Sequence, residues 1–403
     1  MAVRATPSTL RSLPRDVWAL GFGSLFMDIS SELIHSLLPI LLVTTLGASM
    51  VTVGVIEGVA EATAAVTKVF SGALSDFLGR RKPLLVLGYA LGALTKPVFP
   101  LAPSVAWIFT ARFVDRVGKG IRGAPRDALV AEVTPAPMRG AAYGLRQGLD
   151  SIGAVVGPLL AIVLLIWFAD RIRTVMWFGV APAIISVLLL LVCVREPDRS
   201  QVERSAKPRL DFAAANRLSR RYWLVVALGA VFTLARFSEA FLVLRAQNVG
   251  LALGYVPLVM IVMNVVYAAA AYPAGAAADR MSAPTLLLIG LALLVIADIV
   301  LAWGGSPLVV LAGAALWGLH MGLTQGLLSK LVADSSPVDL LGTGFGIFNL
   351  VSGVALLLAS VIAGVLWNSA GPSATFVAGA CFAATAAIGI LVGVRYRTTP
   401  TAA

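Results

Sequence analysis

The sequence predicts an all-α membrane protein with twelve transmembrane helices, a prediction based on composition and hydropathy. Of the 403 residues, 59% are hydrophobic and 13% are charged, whereas a soluble domain has about 25% charged residues. Mean hydropathy is +0.92, so much of the surface needs lipid as its solvent. An apolar run of about 20 residues crosses the hydrocarbon core as a helix. Twelve such runs (spans) occur, at roughly 17–45, 51–76, 83–101, 105–130, 140–167, 173–194, 222–247, 253–278, 284–303, 306–332, 341–367 and 374–394.

The two halves of the chain form a parallel internal sequence repeat. One copy begins at Gly72, after the second span, and reads GALSDFLGRRKPLLVLG; the other begins at Gly275, after the eighth, and reads GAAADRMSAPTLLLIG. A second echo links YGLRQ from Tyr143 to FGIFN from Phe345. The offsets are 203 (275 − 72) and 202 (345 − 143). A parallel repeat of this kind predicts two six-helix bundles related by a pseudo-two-fold axis along the membrane normal.

A polar stretch separates these halves. Residues 195–221 carry eight Lys or Arg side chains against four Asp or Glu. We therefore expect an N-terminal six-helix bundle over 1–194, a basic cytoplasmic linker over 195–221 and a C-terminal six-helix bundle over 222–403. Cys193 and Cys381 fall inside apolar spans, and we expect them to be small core residues rather than a disulfide or a metal pair.

The formal net charge is +11, and the positions of the basic residues indicate the membrane topology. With twelve crossings, one side of the membrane receives Arg4, Arg11, Arg15, Arg80, Arg81, Lys82, Arg395 and Arg397. Opposite loops at 46–50 and 303–307 carry no Lys or Arg, with Arg171 and Arg173 as the exception on that side. Because basic loops remain cytoplasmic, we expect a multi-pass protein of the plasma (inner) membrane with both termini in the cytoplasm. The first span is too long for a signal peptide, and the charge does not indicate a nucleic-acid partner.

The first copy of the repeat contains the most specific motif of the chain. It follows the pattern G-x-L-x-D-x-x-G-[RK]-[RK], whose defined positions are Gly72, Leu74, Asp76, Gly79, Arg80 and Arg81. This motif resembles the loop between helices two and three of the major facilitator superfamily (MFS), and the resemblance extends over nearly the whole chain. The second copy has Ser282 in place of the later Gly, but it keeps Gly275, Asp279 and Arg280. The resemblance implies the MFS fold and a secondary transporter.

In that family the loop is part of a cytoplasmic gate. Glycine allows a tight hairpin between two helices, and the helix dipole would favour Asp76 at the N-terminal end of a neighbouring helix. Arg80 would pair with an acid at the inner end of the fourth span, for which Asp127 and Glu132 are the candidates. The alternative is a basic loop that only sets topology.

The fifth span carries a second motif. The spacing G-x8-G-x3-G-P resembles the antiporter motif that the family has mainly in exporters, and it is formed by Gly144, Gly153, Gly157 and Pro158. Ala161 and Ile162 replace the usual closing Gly-Gly. Small residues also let membrane helices approach closely, so a general helix interface is the alternative interpretation.

Charged side chains also lie inside the apolar spans. In span one, an acidic face is formed by Asp28, Glu32 and His35. In span four, a basic face with an acid beside it is formed by Arg112, Asp115, Arg116, Lys119, Arg122 and Arg126. A cation at the bilayer centre costs about 3 kcal/mol, so these side chains must face protein or water. In the family, spans one, four, seven and ten line a central cavity, where the two faces would meet.

Further residues are candidates for that cavity. Span seven contributes Arg236 and Glu239, and span ten contributes His320. Arg146 and Asp150 in span five form an i,i+4 pair, for which a static ion pair that fixes helix packing is the alternative.

The fourth span also matches a family motif and contains helix-breaking residues. Arg116, Lys119 and Gly120 resemble its R-x-x-Q-G motif, with Lys in place of Gln. We expect the helix to bend near its inner end because it contains Gly118, Gly120, Gly123 and Pro125.

Proton coupling needs an acid whose affinity for H⁺ changes between two states of the transporter. A carboxylate binds its proton more tightly in a dry cavity and less tightly beside a cation. Movement of Arg116 relative to Asp28 or Glu32 would therefore change proton occupancy. The chain has no G-x-x-x-x-G-K-[ST] motif for ATP. We expect a monomeric, proton-coupled exporter of a small anionic or amphiphilic organic compound that works by alternating access, with no cofactor.

Two alternatives stay open. The acidic face of span one could ligate a divalent metal, or the protein could carry a metal chelate such as a siderophore. The basic face of span four would repel a bare cation, however, and the chain has only two His. The third interpretation is a membrane-embedded enzyme or receptor. No nucleophile–base or metal-site motif supports it, so we expect neither enzymatic activity nor a resident metal.

Overall fold

The computed structural model describes residues 12–78, 80–135, 138–196, 212–278, 281–324, 326–337 and 340–398. In these ranges the chain forms sixteen α-helices: α1 Arg15–Ile40, α2 Met50–Leu78, α3 Lys82–Thr95, α4 Val98–Leu101, α5 Val105–Val133, α6 Arg139–Trp167, α7 Ile172–Trp177, α8 Val180–Cys193, α9 Arg220–Leu234, α10 Ala240–Asn248, α11 Leu258–Ala278, α12 Ala283–Trp303, α13 Pro307–Thr324, α14 Leu327–Ser335, α15 Leu341–Ala370 and α16 Pro372–Thr398. A π-helical turn, Leu41–Thr45, follows α1.

The helices make twelve transmembrane passes, which confirms the predicted fold class. Four passes consist of two helices each: α3 with α4, α7 with α8, α9 with α10, and α13 with α14. Ten stretches of the described chain are long and apolar enough to cross a membrane. The remaining two passes are α5, whose charges lower its hydropathy, and the pass formed by α9 and α10, which is interrupted.

The chain packs as two compact units. The first comprises Met1–Leu37 and Thr63–Arg209, and the second comprises Leu38–Ala62 and Leu210–Ala403. The later boundary falls inside the expected linker, whereas residues 38–62 pack with the second unit although they belong to the N-terminal half of the sequence. The expected segments 1–194, 195–221 and 222–403 stay a prediction.

Close helix approach in the first unit depends on glycine. A Cβ atom on Gly88 of α3 would lie 2.6 Å from the Gly118 carbonyl oxygen of α5, and the reverse distance is also 2.6 Å. Gly120 of α5 approaches Thr67 of α2 in the same way, at 2.5 Å. These glycines serve packing and do not break the helix, since α5 is continuous over its whole length. The expected bend near the inner end of this pass stays a prediction, and Pro125 lies inside the continuous helix.

One pass of the second unit is broken in the middle. α9 ends at Leu234 and α10 begins at Ala240, where the sequence predicts a continuous span over 222–247. The Ser238 amide, which lies in the break, donates a hydrogen bond to Ser360 Oγ of α15 at 3.2 Å. A backbone group freed from the helix thereby keeps a partner, as the interior of a membrane protein requires.

The two cysteines occupy helix surfaces. Cys193 and Cys381 are both free and exposed, so the expectation that they are core residues is wrong. Apolar spans present their outer face to lipid rather than to a protein core, and an apolar run does not tell which of the two a given residue faces.

Candidate functional site

The acidic face of α1 lies against glycines of α6. A Cβ atom on Gly153 would lie 2.8 Å from Asp28 Cβ, and one on Gly157 would lie 3.0 Å from Glu32 Cβ. A Cβ on Gly157 would also meet the Ile29 carbonyl oxygen at 2.7 Å. Any larger residue at these positions would push α6 away from α1. The two glycines of the fifth-span motif therefore allow α6 to approach the acidic face of α1 closely.

The other positions of that motif differ in their surroundings. Gly144 has no atom within 4 Å of a Cβ built on it, and Pro158 is buried inside α6. Ala161 and Ile162, which stand where the family has Gly-Gly, are also buried. The close approach to the acidic face thus involves Gly153 and Gly157 only.

Asp28 faces the basic side of α5. The charged groups that act on its carboxylate are Lys119, Arg122 and Arg126 of α5 and Asp150 of α6. Two of these cations are held by other contacts. The guanidinium carbon of Arg122 lies 4.8 Å from the centre of the Tyr89 ring, and Arg126 Nη1 donates to Ser24 Oγ at 2.9 Å. Asp28 therefore lies among several cations with a second carboxylate nearby.

Glu32 lies one helical turn further along α1 and has different neighbours. His35 Nδ1 is 3.6 Å from Glu32 Oε2. Lys119 and Arg116 of α5 also act on this carboxylate. The structure thus brings the acidic face of α1 and the basic face of α5 together inside the first unit.

The acid of the fourth span has a partner that sequence reasoning missed. Asp115 Oδ1 accepts a hydrogen bond from Lys96 Nζ at 2.8 Å, and both side chains are at most 5% exposed. Lys96, which follows the last residue of α3, also donates to Ser31 Oγ of α1 at 3.0 Å. Arg116 Nε is 3.9 Å from Asp115 Oδ2. The only signal in the sequence was a Lys just before Pro97 within an apolar span.

Arg112 completes the basic face at the other end of α5. Its side chain and that of Arg116 are each 3% exposed, and Arg112 acts electrostatically on Asp115. Burial of several cations on one helix is costly in a membrane unless carboxylates or water compensate them. The carboxylates of α1 and Asp115 provide part of that compensation.

A second ion network joins α5 to α6. Arg146 Nη1 is 3.1 Å from Asp127 Oδ1 and 3.5 Å from Asp150 Oδ2, which makes the i,i+4 pair of α6 a real contact. Arg126 is 3.4 Å from Asp127 and 3.8 Å from Asp150. Since Asp150 also acts on Asp28, this network borders the acidic face of α1.

The expected cytoplasmic gate is only partly described. Gly79, Asp279 and Arg280 lie outside the described residues, as does the side chain of Asp76. A Cβ on Gly72 of α2 would approach Ala124 Cβ of α5 at 3.3 Å, consistent with a helix contact at this end of α2.

The ion pair at this hairpin differs from the expected one. Glu132 Oε1 pairs with Arg81 Nε at 2.8 Å rather than with Arg80. The other candidate, Asp127, belongs to the network with Arg126 and Arg146 described above. Glu196 accepts hydrogen bonds from the amides of Arg81 and Lys82 at 2.7 and 2.8 Å. A carboxylate at the N-terminus of α3 is stabilised by the helix dipole, which is the role that the sequence suggested for Asp76.

The candidates of the second unit lie near the broken pass. Arg236 is in the non-helical break, and Glu239 is the residue before α10. His320 of α13 is buried, its Nδ1 is 2.7 Å from the Gly290 carbonyl oxygen, and its ring centre is 5.5 Å from that of Phe232. Arg236 acts electrostatically on His320. The break thus contains a cation whose charge acts on the packed imidazole.

Comparison with known proteins assigns the family. The sequence profile described as Major Facilitator Superfamily matches residues 20–245 and 236–403. The chain belongs to the major facilitator superfamily. An uncharacterized MFS-type transporter of Methanocaldococcus jannaschii is 29% identical over 381 residues, 93% of each chain.

One further relative and one solved structure of similar fold bear on this MFS protein. The class H tetracycline resistance protein of Pasteurella multocida is 24% identical over 314 residues, which cover 72% of this chain and 74% of that protein. A crystal structure of a POT family transporter in complex with 5-aminolevulinic acid has a TM-score of 0.79 at 12% identity and covers 96% of this chain and 99% of that one. The fold is therefore that of an MFS secondary transporter in a membrane.

The described part of this MFS transporter contains no group of three or more His, Cys, Asp or Glu side chains placed to hold a metal ion. On the acidic face of α1, the close contact is instead between His35 and Glu32. The geometry therefore gives the divalent-metal alternative no support there.

Proposed function

We propose that the protein is a proton-coupled exporter of a small anionic or amphiphilic organic compound and works by alternating access. The observation that carries this proposal is the buried charge cluster of the first unit. In it, the carboxylates of Asp28 and Glu32 lie in the field of the cations of α5.

The two carboxylates suit proton coupling. A carboxylate in a partly dry site can exchange a proton when a neighbouring cation moves. Lys119 acts on both acids, whereas Arg116 acts on Glu32 and Arg126 on Asp28. A shift of α5 relative to α1 would change how strongly the cations of α5 stabilise each ionised carboxylate. Proton binding at Asp28 and Glu32 would therefore change during the transport cycle.

The basic face of α5 suits a substrate with negative charge. Around the acidic face and Asp115, the cations outnumber the carboxylates: six cations, Lys96, Arg112, Arg116, Lys119, Arg122 and Arg126, act on four acids, Asp28, Glu32, Asp115 and Asp150. An anionic group on the substrate would reduce this local excess. The apolar surroundings would accept the rest of an amphiphilic molecule.

The direction of transport is proposed from two features. The glycines of α6 that contact the acidic face are part of a spacing that resembles a motif found mainly in exporters, and a relative over most of the chain is named for resistance to tetracycline. A membrane transporter accounts for resistance most directly by moving the compound out of the cell. We place the protein in the plasma (inner) membrane as a monomer with both termini in the cytoplasm.

The test uses purified protein in proteoliposomes that contain a pH-sensitive dye and carry an imposed pH gradient. We expect one or more compounds of a panel of organic anions, antibiotics including tetracycline, lipids, siderophores and divalent metals to discharge the gradient. Empty liposomes are the control. Transport that neither responds to the gradient nor changes internal pH would contradict proton coupling.

One substitution in the same assay separates the organic substrate from the metal. His35→Ala should alter transport of an organic compound only mildly, because the imidazole then only adjusts the charge around Glu32. A severe loss, together with transport of a divalent metal, would favour the metal alternative.

A further inference from the structure

One carboxylate of the second unit belongs to none of the groups described above. Asp298 lies in α12, is 0% exposed, and neither of its carboxylate oxygens has a hydrogen-bond partner. A Cβ atom built on Gly379 of α16 would lie 2.6 Å from Asp298 Oδ2 and 3.0 Å from Phe237 Cε1. The missing side chain at Gly379 therefore leaves the space that the carboxyl group occupies between α12 and α16.

The surroundings of this carboxyl group are aromatic. The ring of Phe237 packs against Phe241, Trp317 and Phe376, with centroid distances of 5.7, 5.3 and 5.5 Å. All four rings are buried. Such a cluster excludes water, so solvent does not replace the missing hydrogen-bond partners.

No described charged group compensates Asp298. The described titratable side chains around α12 are on the helices packed against it, on α10 and in the break before α10: Tyr267, Lys330, Asp334, His320, Cys381, Arg236, Glu239 and Arg245. His320 is bonded to the Gly290 carbonyl, and Arg245 donates to the carbonyls of Leu301, Ala302 and Gly304. Within the described chain, burial alone acts on the Asp298 carboxyl group, with no electrostatic contribution from these residues.

We propose that Asp298 is a proton-binding site of the second unit. An ionised carboxylate without a partner is far more costly to bury than a neutral carboxylic acid. The carboxyl group therefore holds a proton while α12 and α16 are packed as they are here, and it ionises only when the contact at Gly379 opens to water. The site belongs to the second unit, whereas the charge cluster of α1 and α5 belongs to the first. Its release of a proton during transport rests on the proton coupling proposed above.

Infrared spectroscopy of the reconstituted protein tests this site without a substrate. We expect a carboxylic-acid C=O band at neutral pH that disappears in Asp298→Asn and is displaced in Asp298→Glu. Asp334→Asn, which removes an exposed carboxylate of α14, is the matched control and should leave the band unchanged. An Asp298→Asn spectrum identical to that of the wild type would overturn the proposal.

The test also covers an Asp298→Asn variant that does not fold and a wild-type protein that is not proton-coupled. Should Asp298→Asn fail to fold, Asp298→Glu decides alone: a displaced band supports the site and an unmoved band overturns it. Failure of the proposed function gives a different result. If the wild-type protein shows the band but moves no protons with any compound, Asp298 still binds a proton and only the proposed proton coupling is contradicted.

Discussion

At the scale of single residues, two carboxylates on one helix face have different environments. Asp150 and several cations act on Asp28, whereas the groups that act most strongly on Glu32 include His35, Lys119 and Arg116. Repulsion between two carboxylates is relieved when one of them takes a proton. Of the two carboxylates, we therefore expect Asp28 to contribute more to proton exchange than Glu32.

The first substitution to test at this scale is Asp28→Asn. We expect it to abolish accumulation driven by a pH gradient while exchange of substrate across the membrane persists, because amide and protonated acid are similar in shape but the amide cannot release a proton. Accumulation and exchange are measured in the same proteoliposomes. Wild-type accumulation in Asp28→Asn would show that the acidic face of α1 is structural at this position.

At the scale of helices, glycine decides which passes approach each other and where. On α6, Gly157 lies against the backbone of α1, while Gly144 has open space around it. The sequence places both in one motif with equal weight. Only the structure separates them, because spacing along a helix gives the shared face but not the distance to the neighbouring helix.

The contrast between these two glycines gives a matched pair of variants. In Gly157→Ala the new methyl group would meet the Ile29 carbonyl oxygen at 2.7 Å, and such overpacking costs about 1–3 kcal/mol. Gly144→Ala adds a methyl group in free space and should be neutral or stabilise by up to about 1 kcal/mol through helix propensity. Thermal or denaturant unfolding in detergent measures both. Equal stabilities would contradict the close contact between α6 and α1.

At the scale of the whole molecule, hydropathy predicts most of the architecture. The twelve passes follow from apolar runs, since each must satisfy its own backbone in lipid. What hydropathy does not predict is the break at Ser238, where a hydroxyl of α15 replaces a helical partner, or the contact of Lys96 with Asp115. Both depend on which helices become neighbours, and that information is not contained in the spacing of residues along one helix.

The orientation that the charges predict can be tested by labelling. In a background without Cys193 and Cys381, which are exposed and free, we expect Gly305→Cys to react with a membrane-impermeant thiol reagent in intact cells. Gly305 is a suitable position because no atom lies within 4 Å of a Cβ built there. Ser205→Cys, in the basic linker and outside the described residues, should react only after the cells are lysed, because basic segments stay in the cytoplasm. The Cys-free protein controls for labelling of other groups. Reaction at position 205 in intact cells would reverse the orientation, and the direction of transport would then have to be assigned anew.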